Sequence, residues 1–169
     1  YGSQFIDSID RSKILKVLKS NFITQGPEIE KFENKFAKYV GSKYAVACAS
    51  GTAALHMSCL ALGISSKSRI LTSAITFVAS ANCAEYLGAK VDFVDVDEKT
   101  FCISISELEK KLKKKKIDLV IPVHLSGHSS EMREIYKLKK KYNFHIIEDS
   151  CHALGGKYNN FKVGSCKFS

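Results

Sequence analysis

Phe144-His145-Ile146-Ile147-Glu148-Asp149-Ser150-Cys151-His152 decides how the rest of the chain reads. Phe144 to Ile147 is a short apolar run between Asn143 and a group of acidic and small residues. That is the pattern of a buried strand of a parallel sheet, here running on to Glu148. Strands buried on both faces end in the crevice where α/β sheets bind ligands, and an acid placed there without a cationic partner is costly. Asp149 is therefore expected to face a positively charged ligand atom, and His152, three residues on, can turn back towards it. The plainer reading stays open at this point: Asp149 caps the next turn and His152 sits on the surface.

The chain has 169 residues, 45% hydrophobic and 25% charged, enough for one domain with a sizeable core. No apolar run approaches the ~18 residues of a membrane span, and the N-terminus shows no signal-peptide pattern, so a soluble cytoplasmic protein is expected. Cys48, Cys59, Cys83, Cys102, Cys151 and Cys166 form no C-x-x-C pair, which speaks against a zinc site and a disulfide framework. They read as reduced core or surface thiols, Cys151 as a buried structural one. The net charge of +9 comes mostly from Lys110, Lys111, Lys113 to Lys116, Lys137 and Lys139 to Lys141. These lysines alternate with Leu108, Leu112, Ile117, Met132, Ile135, Tyr136 and Leu138 at helical spacing, so they are solvated helix faces. They lack the interleaved aromatics of a single-strand binder and any recognition helix, which excludes nucleic acid as the favoured partner. A positive field also suits a small phosphate-bearing molecule.

Along the chain, a helix is expected over Arg11 to Leu18, and another over Glu28 to Val40 with Pro27 at its first position and Gly41 as its stop. The second carries Ile29, Phe32, Phe36 and Tyr39 or Val40 on one stripe. Strands are expected at Tyr44 to Ala49, Arg69 to Thr72, Val91 to Val96 and Asp118 to Val123. Helices are expected over Ala53 to Leu62, from Ser73-Ala74-Ile75-Thr76-Phe77 to Leu87, over Ser106 to Lys116 with Ser106 and Glu109 as a capping box, and over Ser130 to Tyr142. Alternation of this kind means a mostly parallel sheet with helices on both faces, its ligand loops gathered where strands end.

One such loop is Ser50-Gly51-Thr52. Glycine lets the backbone approach a ligand, the two hydroxyls can donate, and the first helical turn presents unpaired N–H groups, a combination that binds phosphate. Taken alone, Ser-Gly-Thr reads equally as a simple N-cap. It is no Walker loop, and no G-x-G-x-x-G occurs. Phe77, at another strand end, can stack on a flat heterocycle or belong to the core. A phosphate cradle, a ring and a carboxylate with a histidine together fit a planar phosphorylated pyridine. The cofactor that needs an acid at its pyridinium nitrogen is pyridoxal 5'-phosphate.

Six segments in order carry a resemblance: Thr24-Gln25-Gly26-Pro27, Ala49-Ser50-Gly51-Thr52-Ala53-Ala54-Leu55, Thr76-Phe77-Val78-Ala79, Phe93-Val94-Asp95-Val96-Asp97, Pro122-Val123-His124-Leu125, and Ile147-Glu148-Asp149 with His152-Ala153. The sequence resembles the DegT/DnrJ/EryC1/StrS sugar aminotransferases, pyridoxal-phosphate enzymes of the aspartate aminotransferase-like fold. Tyr1 to Asp7 and Val163-Gly164-Ser165 are most similar to members of pseudaminic-acid biosynthesis, which aminate C4 of a UDP-linked 4-keto-6-deoxy sugar with glutamate as donor. The resemblance implies a three-layer sandwich forming part of the large domain, with residues 1–27 as an N-terminal arm and substrate loop and 28–169 as the cofactor-binding portion. It implies that Ser50, Gly51 and Thr52 hold the cofactor phosphate, that Phe77 stacks on the pyridine, that Asp149 pairs with its nitrogen and that His152 lies near its phenolic oxygen. Tyr1, Asn21, Phe22, Ile23, Thr24 and Gly51 would contact the nucleotide sugar, with no metal involved. His124 is either a substrate contact or an internally hydrogen-bonded residue, and Asp95 and Asp97 look structural. A homodimer is implied as well.

The resemblance also marks what is missing. The family's Schiff-base lysine lies beyond the segment that ends here at Ser169, and neither Lys162 nor Lys167 has its context. The stretch is therefore expected to be an inactive N-terminal portion that lacks the small C-terminal domain. Two other readings of the same residues are a family 3-dehydratase, with histidine at the lysine position, and a binding protein that has lost the lysine.

Overall fold

A computed structural model of the chain describes residues 3–165. The first helix, α1 (Ser8–Leu18), starts earlier than its apolar spacing suggests. Asp7 Oδ1 accepts from the amides of Ile9 and Asp10, and Asp10 returns a bond to the Asp7 amide, closing a capping box of two acids. Helix α2 (Pro27–Val40) has proline at its first position and stops at Gly41, whose φ of 84° is the left-handed conformation that glycine adopts without strain. Of its expected apolar stripe, Val40 is buried while Ile29 and Phe32 stay open.

Four strands, β1 (Arg69–Ser73), β2 (Lys90–Val94), β3 (Leu119–Ile121) and β4 (His145–Ile146), form a parallel sheet in the order β2-β1-β3-β4. Side chains alternate along them. Ile70, Leu119 and Ile121 pack with Leu55, Cys59 and Cys83 of α3 (Gly51–Ala61) and α4 (Ala79–Glu85) on one face. Leu71 and Val120 pack with Leu108, Leu112, Met132 and Ile135 of α5 (Ile105–Lys114) and α6 (Met132–Tyr142) on the other. The result is the expected three-layer sandwich. From β1 the chain crosses to β2 on one side and then returns past β1 to β3 on the other. Because parallel crossovers are right-handed, the helices change face where the direction reverses, and a crevice opens between the ends of β1 and β3.

Several boundaries differ from expectation for identifiable reasons. Tyr44 to Ala49 takes no regular secondary structure and joins no ladder among the described residues, with Tyr44 and Val46 exposed and the Ala47 amide donating to Glu33 Oε1. Helix α5 is capped by Ser104, which accepts from the Glu107 amide; the S-x-x-E spacing used is two residues earlier than Ser106 and Glu109. Glu109 instead binds Lys141 and Tyr142 on α6. Helix α6 begins at Met132, because the Ser130 amide is taken by His124 and its hydroxyl by the Val123 carbonyl. Strand β4 is two residues long, though Val123 and Asp149 continue the pairing as a lone bridge. A small hairpin, β5 (Lys157–Tyr158) and β6 (Phe161–Lys162), closes the described chain and had no counterpart in the sequence reading. Among the described residues, no helix is long and apolar enough to cross a membrane.

Candidate active site

A cavity of about 300 Å³ opens at the C-terminal edge of the sheet. Gly51 and Thr52 wall one side and Phe77 and Ala79, following β1, another; Asp149, Cys151 and His152, following β4, complete it with Val123 and Leu125. The first turn of α3 points into this space. Ser50 Oγ accepts from the Ala53 amide at 3.1 Å, so Ser50 serves as N-cap, and the Gly51 and Thr52 amides have no acceptor inside the helix. They give this end of the cavity a partial positive charge. A Cβ added to Gly51 would stand 2.9 Å from Cys151 Sγ, so the wall is closed against any side chain there.

Alternation decides what the acids at the end of β4 meet. Asp149 shares the parity of Ile147 and turns to the α3 and α4 face, where Ser80 Oγ donates to its Oδ2 at 2.6 Å. Its Oδ1 accepts from the Cys151 amide at 3.2 Å, and its backbone is bonded to Pro122 and His124. The bond from the Cys151 amide is the one the cap reading expects. Asp149 is 5% exposed and has no cationic partner among the described residues. Glu148 has the opposite parity and meets His124 Nε2 at 3.0 Å and the Tyr136 hydroxyl at 3.4 Å. His124 is fully buried, and its Nδ1 accepts from the Ser130 amide, so a neutral ring carries its proton on Nε2, towards Glu148. It is the internally bonded residue rather than a wall of the cavity.

His152 lines the cavity and its Nδ1 accepts from the Ser126 amide at 3.4 Å. Cys151 corrects the sequence reading: it is exposed at the cavity wall rather than a buried core thiol. Burial of its sulfur first, then the bond to Asp149 and the carboxylate's charge, push this thiol up to about 11. Asn21, Phe22, Ile23 and Thr24 are exposed and are not part of this wall, and Tyr1 lies outside the described residues. Asp97 holds its own turn through Lys99 and Thr100, and Asp95 binds the next amide, as structural residues do. Lys162 lies away from the site, its Nζ 2.7 Å from the Tyr39 carbonyl.

The sequence description of the DegT/DnrJ/EryC1/StrS aminotransferase family matches residues 4–168. The chain belongs to this family. Among DegT/DnrJ/EryC1/StrS relatives, it is 41% identical to a UDP-4-amino-4,6-dideoxy-N-acetyl-beta-L-altrosamine transaminase of Campylobacter jejuni, over 98% of this chain and 44% of that protein. It is 39% identical to a GDP-perosamine synthase of Escherichia coli O157:H7, over 92% of this chain and 43% of the relative. The chain thus spans less than half the length of these relatives. An aminotransferase structure from Psychrobacter cryohalolentis superimposes with a TM-score of 0.89 at 34% identity, covering 95% of this chain and 41% of that one. NtdA from Bacillus subtilis, solved with bound cofactor PMP, superimposes with a TM-score of 0.82 at 30% identity, covering 90% of this chain and 36% of the other. The fold of the DegT/DnrJ/EryC1/StrS family is therefore the fold of this chain.

Proposed function

We propose that the chain is the cofactor-binding part of a pyridoxal-phosphate-dependent sugar aminotransferase. It would transfer an amino group from glutamate to C4 of a UDP-linked 4-keto-6-deoxy sugar, in the cytoplasm, on a route to pseudaminic acid or a related surface glycan. The observation that carries this reading is Asp149, a buried carboxylate with no cation facing it among the described residues, in one cavity with a helix N-terminus. A buried acid without a counter-charge is costly, and a cationic ligand atom in the cavity removes that cost. An anionic ester at Gly51 and Thr52 and a ring nitrogen at Asp149 are the two ends of pyridoxal phosphate, and the cavity volume suits a molecule of that size.

When bound, this cofactor draws electrons from the substrate carbon into its ring so that an amino group can be exchanged. The chain's own residues set the conditions for that. The Gly51 and Thr52 amides and the Thr52 hydroxyl would hold the phosphate, with Ser50 fixing the turn. Asp149 would keep the ring nitrogen protonated, Phe77 would cover one face of the ring, and His152 would lie towards its phenolic oxygen. The cavity wall contains no lysine among the described residues. Residues 1–27 would form an arm carrying sugar contacts from Asn21 to Thr24, with 28–169 the cofactor portion. The open apolar side chains of α1, Ile9, Ile14, Leu15 and Leu18, support a homodimer in which such an arm meets a second copy.

The test is to incubate the full-length protein with pyridoxal phosphate, glutamate and a UDP-linked 4-keto-6-deoxy sugar and to follow products by mass spectrometry. The 4-amino sugar and 2-oxoglutarate are expected in equal amounts, and Asp149→Asn should lower their rate by at least about a hundredfold. Loss of the sugar's C3 oxygen instead of amination, or preference for a GDP-linked sugar, would overturn the assignment of reaction or substrate respectively.

A further inference from the structure

Asp149 is held by more than its own strand. Ser80 Oγ donates to Asp149 Oδ2 at 2.6 Å and stands 2.7 Å from Thr76 Oγ1. Ser80 is fully buried. A serine hydroxyl has one proton and an ionised carboxylate can only accept, so the Ser80 proton belongs to Asp149. The contact with Thr76 is then made by the Thr76 proton, and the chain runs one way, from Thr76 through Ser80 to Asp149.

The backbone makes this arrangement local. Thr76 and Ser80 are four residues apart at the entry of α4, where the Ser80 amide bonds the Phe77 carbonyl, so both hydroxyls fall on one side of a single turn. The same turn presents Phe77 to the cavity. Neither hydroxyl belongs to the cavity wall. Asp149 Oδ1 is fixed separately by the Cys151 amide, so the two oxygens are held from two directions and the plane of the carboxylate is set.

We propose that Thr76 and Ser80 are positioning residues for Asp149. They orient its carboxylate towards the cavity and, as a one-way donor chain running from partly buried Thr76 to buried Ser80, polarise one another and hold its charge ready for the cationic ring nitrogen. The inference rests on the reading of the cavity as a pyridoxal-phosphate site, and extends it to two groups that do not touch the cofactor.

Pyridoxamine 5'-phosphate is the suitable probe, because it binds without a covalent link to lysine. The full-length protein and its Ser80→Ala, Thr76→Val and Thr76→Ser variants are titrated with it by fluorescence. The bound ring, labelled with 15N, is read by NMR across pH. Ser80→Ala should weaken binding on the order of tenfold and let the ring nitrogen lose its proton at lower pH. Thr76→Val should do the same to a smaller extent, and Thr76→Ser should restore both readouts. Should Ser80→Ala fail to fold, the two Thr76 variants decide alone. Wild-type binding with variants whose ring-nitrogen titration is unchanged overturns the positioning role while the site stands. Absence of wild-type binding overturns the site, and the positioning role with it.

Discussion

At the scale of single residues, the sequence identified Gly51, Thr52, Phe77, Asp149 and His152, and these do line one cavity. They were legible because each is a residue of unusual chemistry at the end of an apolar run. Ser80 was not, since a serine within a helix of small residues reads as filler until a carboxylate 69 positions away is seen to face it. Cys151 was misjudged for a related reason. Thiols are usually buried, and only the fold shows that this one stands against the Gly51 turn. Its chemistry gives a prediction. With the thiol raised to about 11, Cys151 stays protonated at neutral pH, and only the thiolate is alkylated. Iodoacetamide at pH 8 should label exposed Cys48 well before Cys151, with the Cys151 rate rising as pH approaches 11. Peptide mass spectrometry that finds Cys151 labelled first at pH 8 would count against this environment.

Among the elements, the helices were read almost to their ends wherever proline, glycine or a cap marks them, as in α2. Errors came where two caps competed. Ser104 and Ser106 both precede an acid by three residues, and the structure uses the first because Glu109 is occupied with Lys141 and Tyr142. The stretch Tyr44 to Ala49 has strand composition, but a strand is a relation between two segments, and no partner lies among the described residues. The turn from this stretch into α3 yields the second prediction. Gly51→Ala places a methyl against Cys151 Sγ and should cost about 1 kcal/mol of stability while weakening phosphate-ligand binding. Adding Cys151→Ala should recover most of both losses. A double variant no better than Gly51→Ala, by thermal melting and titration, would place the conflict elsewhere.

For the molecule as a whole, alternating apolar runs and amphipathic helices made the layered parallel sheet readable. Strand order was not, because it follows from the handedness of crossovers acting over the whole chain. The lysine-rich faces proved to be solvated, with several of their charges tied to Glu107, Glu109 and Glu134, and stability rests on the two apolar layers. Ile135→Ala, deep in the α5 and α6 layer, should lower unfolding free energy by about 2–5 kcal/mol, whereas Lys140→Ala should change it by less than about 0.5 kcal/mol. Urea titration separates the two, and equal losses would show that this layer is not the main core. The neighbouring acids after β4 point to opposite layers, Glu148 to His124 and Tyr136, Asp149 to Ser80. Removing one residue between Phe144 and Ile147 would therefore turn the pocket inside out. The shorter carboxylate would be delivered to the histidine layer and the longer one to the layer of small-residue helices, each mismatched to the space that receives it, so this strand tolerates changed letters more readily than a changed count.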